Sequence, residues 1–215
     1  MKVQILISKS SWANYYKKKI LNKLKRYSNN IILLNSHKKL KKNYDINIIF
    51  SYFKKIPNTY LKKSKVNLIP HESNLPKGKG MSPLTWQILE GKKKVFFCLI
   101  EANSKIDNGV IYYKKTKIIQ KNLLFDEIKK IQLNENLKLL IKFVKFYKLK
   151  NKAPKSKVQI GKGTFYKKRD PSNSELKIQK SILSQFNLLR VVDNKNYPAF
   201  FKIYGKKNIL KISKS

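Results

Sequence analysis

Five short apolar runs in the first hundred residues constrain the fold more than any other feature. They are residues 3–8 (VQILIS), 31–34 (IILL), 46–52 (INIIFSY), 66–69 (VNLI) and 95–100 (VFFCLI). Each is rich in β-branched or aromatic residues and too short for a typical helix, so each reads as a buried strand. Helical patterns lie between several of them. In residues 12–27, Tyr16, Ile20, Leu21 and Leu24 fall at helical spacing with lysines opposite, and Ser10 or Ser11 can cap the start. Short buried strands alternating with helices predict an α/β fold: a Rossmann-like, mostly parallel sheet with flanking helices.

Punctuation residues set the remaining boundaries. Pro57 closes a loop before a short helical piece at 58–63. Ser82 and Pro83 read as the cap and first turn of a helix that Gly91 stops. Residues 122–147 carry a long amphipathic pattern, predicted as two helices broken near Asn134. Residues 148–157 are charged, contain Pro154 and lack apolar periodicity, which predicts a linker. The expected organisation is a catalytic domain at 1–150 and a small C-terminal α+β subdomain at 151–215. Within the latter, a helix is expected near 178–186 and strands near 188–192, 199–204 and 208–212.

Composition narrows the function classes. The one cysteine, Cys98, excludes an internal disulfide and a Cys-rich zinc site, and its apolar run marks it as a buried thiol. No metal site is expected. No apolar run reaches membrane-spanning length, and the N-terminal run is too short for a signal-peptide core, so the expected setting is cytoplasmic. Fifty basic residues against eleven acidic ones give a net charge of +39. Such a field attracts polyanions, so nonspecific nucleic-acid binding is expected and a basic nucleic-acid-binding protein is one reading. However, arginine occurs only at Arg26, Arg169 and Arg190, and no nucleic-acid-binding motif is present. Lysine spread evenly over solvated faces is the simpler account.

The chemistry-bearing stretch is residues 67–109. His71 follows a predicted strand, where ligand sites open at the carboxyl ends of a parallel sheet. Asp107 lies in a turn after another strand. Taken singly, each fits a structural role: a lone histidine, and an Asp-x-Gly turn former. Together, His71-Glu72-Ser73-Asn74-Leu75-Pro76, then Gly80, then Pro83-Leu84-Thr85-Trp86-Gln87-Ile88, then Asp107-Asn108-Gly109 resemble the folate-dependent formyltransferases. That family includes methionyl-tRNA formyltransferase and the N-formyltransferases of nucleotide-linked amino sugars. FSYFKKIP at 50–57 resembles its loop before the catalytic strand.

The resemblance implies a formyltransferase fold and transfer of a formyl group from 10-formyltetrahydrofolate to a primary amine. It makes His71 the general base and Asp107 the carboxylate that orients it. The family's catalytic asparagine lies two residues before the histidine, where this chain has Ile69; Asn67 and Asn74 are the amides near enough in sequence to replace it. Folate contacts are expected around Tyr52, Pro57, Gly80, Glu101, Ala102 and Lys105. The C-terminal stretches GTFYKKRDPSNSEL (163–176) and LLRVVDNKNYPAFF (188–201) are similar to the tail of the sugar enzymes. This implies a nucleotide-linked amino sugar as substrate, with Lys168, Arg169 and Arg190 as phosphate contacts and Tyr166 and Tyr197 as stacking faces, while Lys77 and Lys79 beside the loop glycines face the anionic substrate, the glutamate tail of folate or solvent. Another amine, such as that of methionyl-tRNA, is the alternative. The C-terminal strands leave room for a homodimer.

Overall fold

The computed structural model describes residues 1–214. Its centre is a six-stranded sheet in the order β2-β1-β3-β4-β6-β7. These strands are β1 (Lys2–Leu6), β2 (Asn30–Leu34), β3 (Tyr44–Ile49), β4 (Ser64–His71), β6 (Lys94–Glu101) and β7 (Ile111–Ile118); β5 is the two-residue strand Lys79–Gly80. The pairs among β1 to β4 are parallel. The remaining two, β4 with β6 and β6 with β7, are antiparallel, with Leu68 opposite Glu101 and His71 opposite Cys98. The sheet is thus the expected mostly parallel one with an antiparallel edge. The reversal ends β6 beside Asn67 and Leu68, so the loop that follows must turn back for Asp107 to reach His71 at the end of β4.

The helices are α1 (Lys17–Lys25), α2 (Asn58–Leu61), α3 (Pro83–Leu89), α4 (Phe125–Lys150) and α5 (Ile182–Leu189). The main core joins Ile20 and Leu24 of α1, Leu133, Leu137, Leu140 and Phe143 of α4, and inward residues of β1, β3, β4 and β6. A second cluster of Leu6, Leu40, Ile49, Ile56 and Leu61 is joined by Ile69, Tyr52 and Ala102. No helix among the described residues is long and apolar enough to cross a membrane.

Four local expectations are corrected. The long helix is not broken near Asn134. There, Asn134 accepts from Lys19 Nζ at 3.0 Å and the Asn136 amide donates to Glu72, so neither side chain competes with the helix backbone. Residues 148–157 do not form a plain linker. The helix continues through Lys150, and Lys157 pairs with Ile111 beside β7. Ser82 sits in the left-handed region at φ 52° and makes no side-chain cap; Pro83 at the first turn removes one donor instead. Residues 188–192 end a helix and enter turns, because the buried Arg190 guanidinium binds the carbonyls of Gln120 and Leu123 there.

The C-terminal residues form strands in two small sheets. Strand β8 (Phe165–Tyr166) pairs in parallel with β5, while β9 (Ala199–Ile203) and β10 (Lys206–Leu210) form a separate hairpin.

Candidate active site

His71 is the last residue of β4 and is 5% exposed. Its Nε2 lies 2.9 Å from the Gly78 carbonyl. A carbonyl only accepts, so Nε2 carries the proton and Nδ1 holds the free lone pair. Nδ1 faces Asp107 Oδ2 at 3.7 Å. That gap is too long for a hydrogen bond and is of the size bridged by a water or a substrate N–H. The imidazole is therefore oriented by the loop backbone, and Asp107 stands on the side where a proton is gained.

Asp107 is itself held. Its Oδ2 accepts from the Gly80 N–H at 2.8 Å, and its backbone adopts φ 47°. The neighbouring turn is tied down by buried Lys79, which donates to Asn108 Oδ1. A strap from the C-terminal part fastens both loops. Gln159 Nε2 donates to the carbonyls of Asp107 and Gly109 at 2.9 and 2.8 Å. Thr164 accepts from the Gly78 and Lys79 N–H groups, and the Tyr166 carbonyl accepts from Met81. Gly80, at φ 95°, has no room for a side chain, since a Cβ would lie 2.4 Å from the Tyr166 carbonyl oxygen. Tyr166 in turn stacks on Trp86 at 5.8 Å.

His71 and Asp107 open into a cavity of about 310 Å³. One wall is apolar, with Ile49, Ile56, Leu61, Ile69 and the Tyr52 ring. The Tyr52 hydroxyl is fixed 2.8 Å from His37 Nδ1. Another part of the lining is polar, formed by Glu72 and by Lys129, Gln132 and Asn136 of α4. Burial pushes the Lys129 ammonium down to about 8, with Glu72 and Asp193 partly offsetting it.

The expected residues divide clearly. His71, Asp107, Tyr52, Gly80, Ala102 and Lys105 line the cavity. Asn67 and Asn74 do not. The Asn67 amide is consumed below the site, accepting from Asn47 and donating to the Leu61 carbonyl, both at 3.0 Å. Pro57 and Glu101 also lie outside the lining. Glu101 instead braces the strand end: its carboxylate accepts from the Asn67 N–H at 2.7 Å and the Tyr112 hydroxyl at 2.8 Å. Burial raises the Glu101 carboxyl above its ordinary value despite those donors. Lys77, Lys168, Arg169, Arg190 and Tyr197 are not in the lining either. Arg190 is buried on backbone carbonyls, Arg169 lies over the Trp86 ring, and Tyr197 is exposed on a turn. Sequence reasoning missed the α4 wall and the strap residues Gln159 and Thr164. Gln132 and Asn136 left one signal, as polar residues among the buried positions of an amphipathic helix. Among the described residues no cluster of His, Cys, Asp or Glu could hold a metal ion.

Residues 17–144 match the family model described as "Formyl transferase". A methionyl-tRNA formyltransferase from Sulfurihydrogenibium sp. is 28% identical over 169 residues, covering 78% of this chain and 53% of the relative. The chain thus spans about half the length of that curated relative. Among solved structures, HypX from Aquifex aeolicus in complex with tetrahydrofolic acid superposes with a TM-score of 0.79 at 18% identity, covering 99% of this chain and 37% of that one. A sugar N-formyltransferase from Shewanella sp. superposes with a TM-score of 0.71 at 14% identity, covering 100% and 98%.

Proposed function

Because this chain belongs to the formyl transferase family, we propose that it transfers a formyl group from 10-formyltetrahydrofolate to the amine of a nucleotide-linked amino sugar. The observation that carries this reading is the His71 ring, locked by Gly78 with its basic Nδ1 turned to Asp107 in a cavity. The apolar wall with Tyr52 suits a flat heteroaromatic ring, and Ala102 and Lys105 lie on the loop beside it. The donor supplies an activated formyl group. As the new carbon–nitrogen bond forms and the donor's carbon–nitrogen bond breaks, the amine loses a proton. His71 Nδ1 accepts that proton and returns it to the departing nitrogen. Asp107 stabilises the imidazolium in between. Ile69 offers no donor at the position where the family resemblance places an amide, and Asn67 and Asn74 do not reach the cavity.

The C-terminal 151–215 acts in this reading as a subdomain whose strap fixes the two loops of the site. The sugar assignment draws on the C-terminal resemblance and on the Shewanella neighbour, matched over nearly its full length. The curated relative favours a second acceptor, methionyl-tRNA. Incubation with 10-formyltetrahydrofolate and, in separate arms, a panel of nucleotide-linked amino sugars or methionyl-tRNA, following tetrahydrofolate release, decides between them. Turnover with a sugar and none with methionyl-tRNA supports the proposal. Turnover with methionyl-tRNA alone replaces it, and salt-sensitive RNA binding without any turnover removes the enzyme reading.

A further inference from the structure

The polar wall of the cavity is costly to build and has no evident use within the fold. Lys129, Gln132 and Asn136 sit at i, i+3 and i+7 of α4, so they share one face, with the end residues roughly 10 Å apart along the axis. They interrupt a helix whose other inward residues, Ile128, Leu133, Leu137 and Leu140, are buried in the core. Their hydrogen-bond accounting is incomplete. Asn136 is 2% exposed, and its Nδ2 donates to Glu72 Oε1, yet its Oδ1 has no partner among the described residues. A sealed, unbonded amide oxygen is unfavourable unless a ligand donates to it. At the other end, Lys129 Nζ bonds Gln132 Oε1 at 2.9 Å and lies 4.9 and 5.3 Å from the Trp12 and Phe125 ring centres. No carboxylate pairs with it at ion-pair distance among the described residues. Burial already disfavours its charge, and an anionic ligand would restore it.

The wall therefore offers hydrogen-bond acceptors at one end and an unpaired cation at the other. We propose that this face of α4 is the acceptor-substrate subsite: Asn136 Oδ1 takes one N–H of the amine and leaves the other to His71 Nδ1, and Lys129 pairs with a phosphate of the same molecule. The inference rests on the formyl-transfer reading and deepens it. It specifies a substrate whose amine and phosphate stand about one sugar ring apart. Held by one hydrogen on this wall and with the other turned to His71, the amine keeps its lone pair free for the formyl carbon. Lys129 also lines a second cavity of about 570 Å³ along the N-terminal end of α4, which gives the rest of a nucleotide room beyond the phosphate.

The test uses a thymidine diphosphate-linked 4-amino-4,6-dideoxyhexose and the methyl glycoside of the same amino sugar. Binding of each to the full chain is measured by calorimetry, without donor, alongside binding of 5-formyltetrahydrofolate. Lys129→Met is expected to weaken the diphosphate probe about tenfold or more, with no effect on the methyl glycoside or the folate analogue, and Lys129→Arg to restore it. Asn136→Leu is expected to weaken both amines and spare the folate analogue. Loss of folate-analogue binding in either variant, or unchanged binding of the diphosphate probe in Lys129→Met, overturns the subsite. No binding of the diphosphate probe to wild type overturns it too, while formyl transfer to other amines would leave the broader reading standing. Conversely, the expected binding pattern without turnover would keep the subsite and remove the transferase reading.

Discussion

Asp107→Asn isolates the charge of the site. The substitution keeps shape and backbone: asparagine tolerates the left-handed region that Asp107 occupies at φ 47°, and its amide oxygen can still accept from Gly80. What it removes is a negative charge 3.7 Å from His71 Nδ1. With an effective dielectric of about 20, a carboxylate at that distance stabilises an imidazolium by about 4 kcal/mol, and by about half that where water screens it. If proton gain at Nδ1 accompanies the rate-limiting step, formyl transfer should slow by roughly 30- to 10³-fold. The assay is steady-state kcat and KM with 10-formyltetrahydrofolate and the preferred amine, paired with thermal unfolding. The expected result is a fall in kcat with nearly unchanged Tm. Rates within about threefold of wild type would refute the role of Asp107 as the charge partner. A slow variant that has also lost its fold would say nothing about charge, so His71→Gln provides the second measurement and should be at least as slow.

Gly109→Ala should destabilise the fold by about 3 kcal/mol or more in urea, because the new Cβ would lie 1.7 Å from the Glu101 carbonyl oxygen, a backbone atom that cannot move aside; a change within about 0.5 kcal/mol would show that the turn relaxes freely. Glu101→Gln should become more stable relative to wild type as pH rises from about 4 to 7. Burial raises the Glu101 carboxyl, so its contribution is complete below the unfolded value and is lost as pH rises through the folded one; a stability difference that is flat with pH in urea titrations would contradict this. Cys98 is fully buried and its thiol is pushed up to about 11, so the native chain should resist a chromogenic disulfide reagent at pH 8 and react fully only when unfolded; rapid native labelling would refute its sealed position.

The sheet and the His–Asp pair were legible because each rests on local pattern. Apolar runs such as VFFCLI announce strands, and the residues around His71 and Asp107 cluster along the chain. What lay hidden depends on contacts between distant segments. Gln159 and Thr164 are unremarkable in sequence, yet they clamp loops some fifty and eighty-six residues away. Their function comes from the return of the chain along β5, which no periodicity records. The helix near Asn134 was misread for the same reason. Asparagine opposes helix in isolation, but here Lys19 and Glu72 hold the side chains. Arg190 was misplaced because a guanidinium reads as a phosphate ligand until burial shows its donors spent on Gln120 and Leu123. Asn67, close to the histidine in sequence, points its amide to Asn47 and Leu61.

The large positive charge takes a different meaning once the cavity is known. Lys54, Lys55, Lys105 and Lys129 line it, against the carboxylates Glu72 and Asp107. The field of the whole chain therefore converges on a concave site that is itself net positive, which concentrates small anions there. Arginine, the better reader of base edges and paired phosphate oxygens, is absent from the lining. Two of the three arginines are already engaged, Arg169 with Asn173 and the Trp86 ring, Arg190 with backbone carbonyls. Such a surface attracts polyanions without discriminating among them. Discrimination must come from the interior, where a locked imidazole, an unbonded amide oxygen and one desolvated lysine are fixed on rigid elements. The charge can gather many ligands, but the cavity's geometry restricts which of them reaches His71.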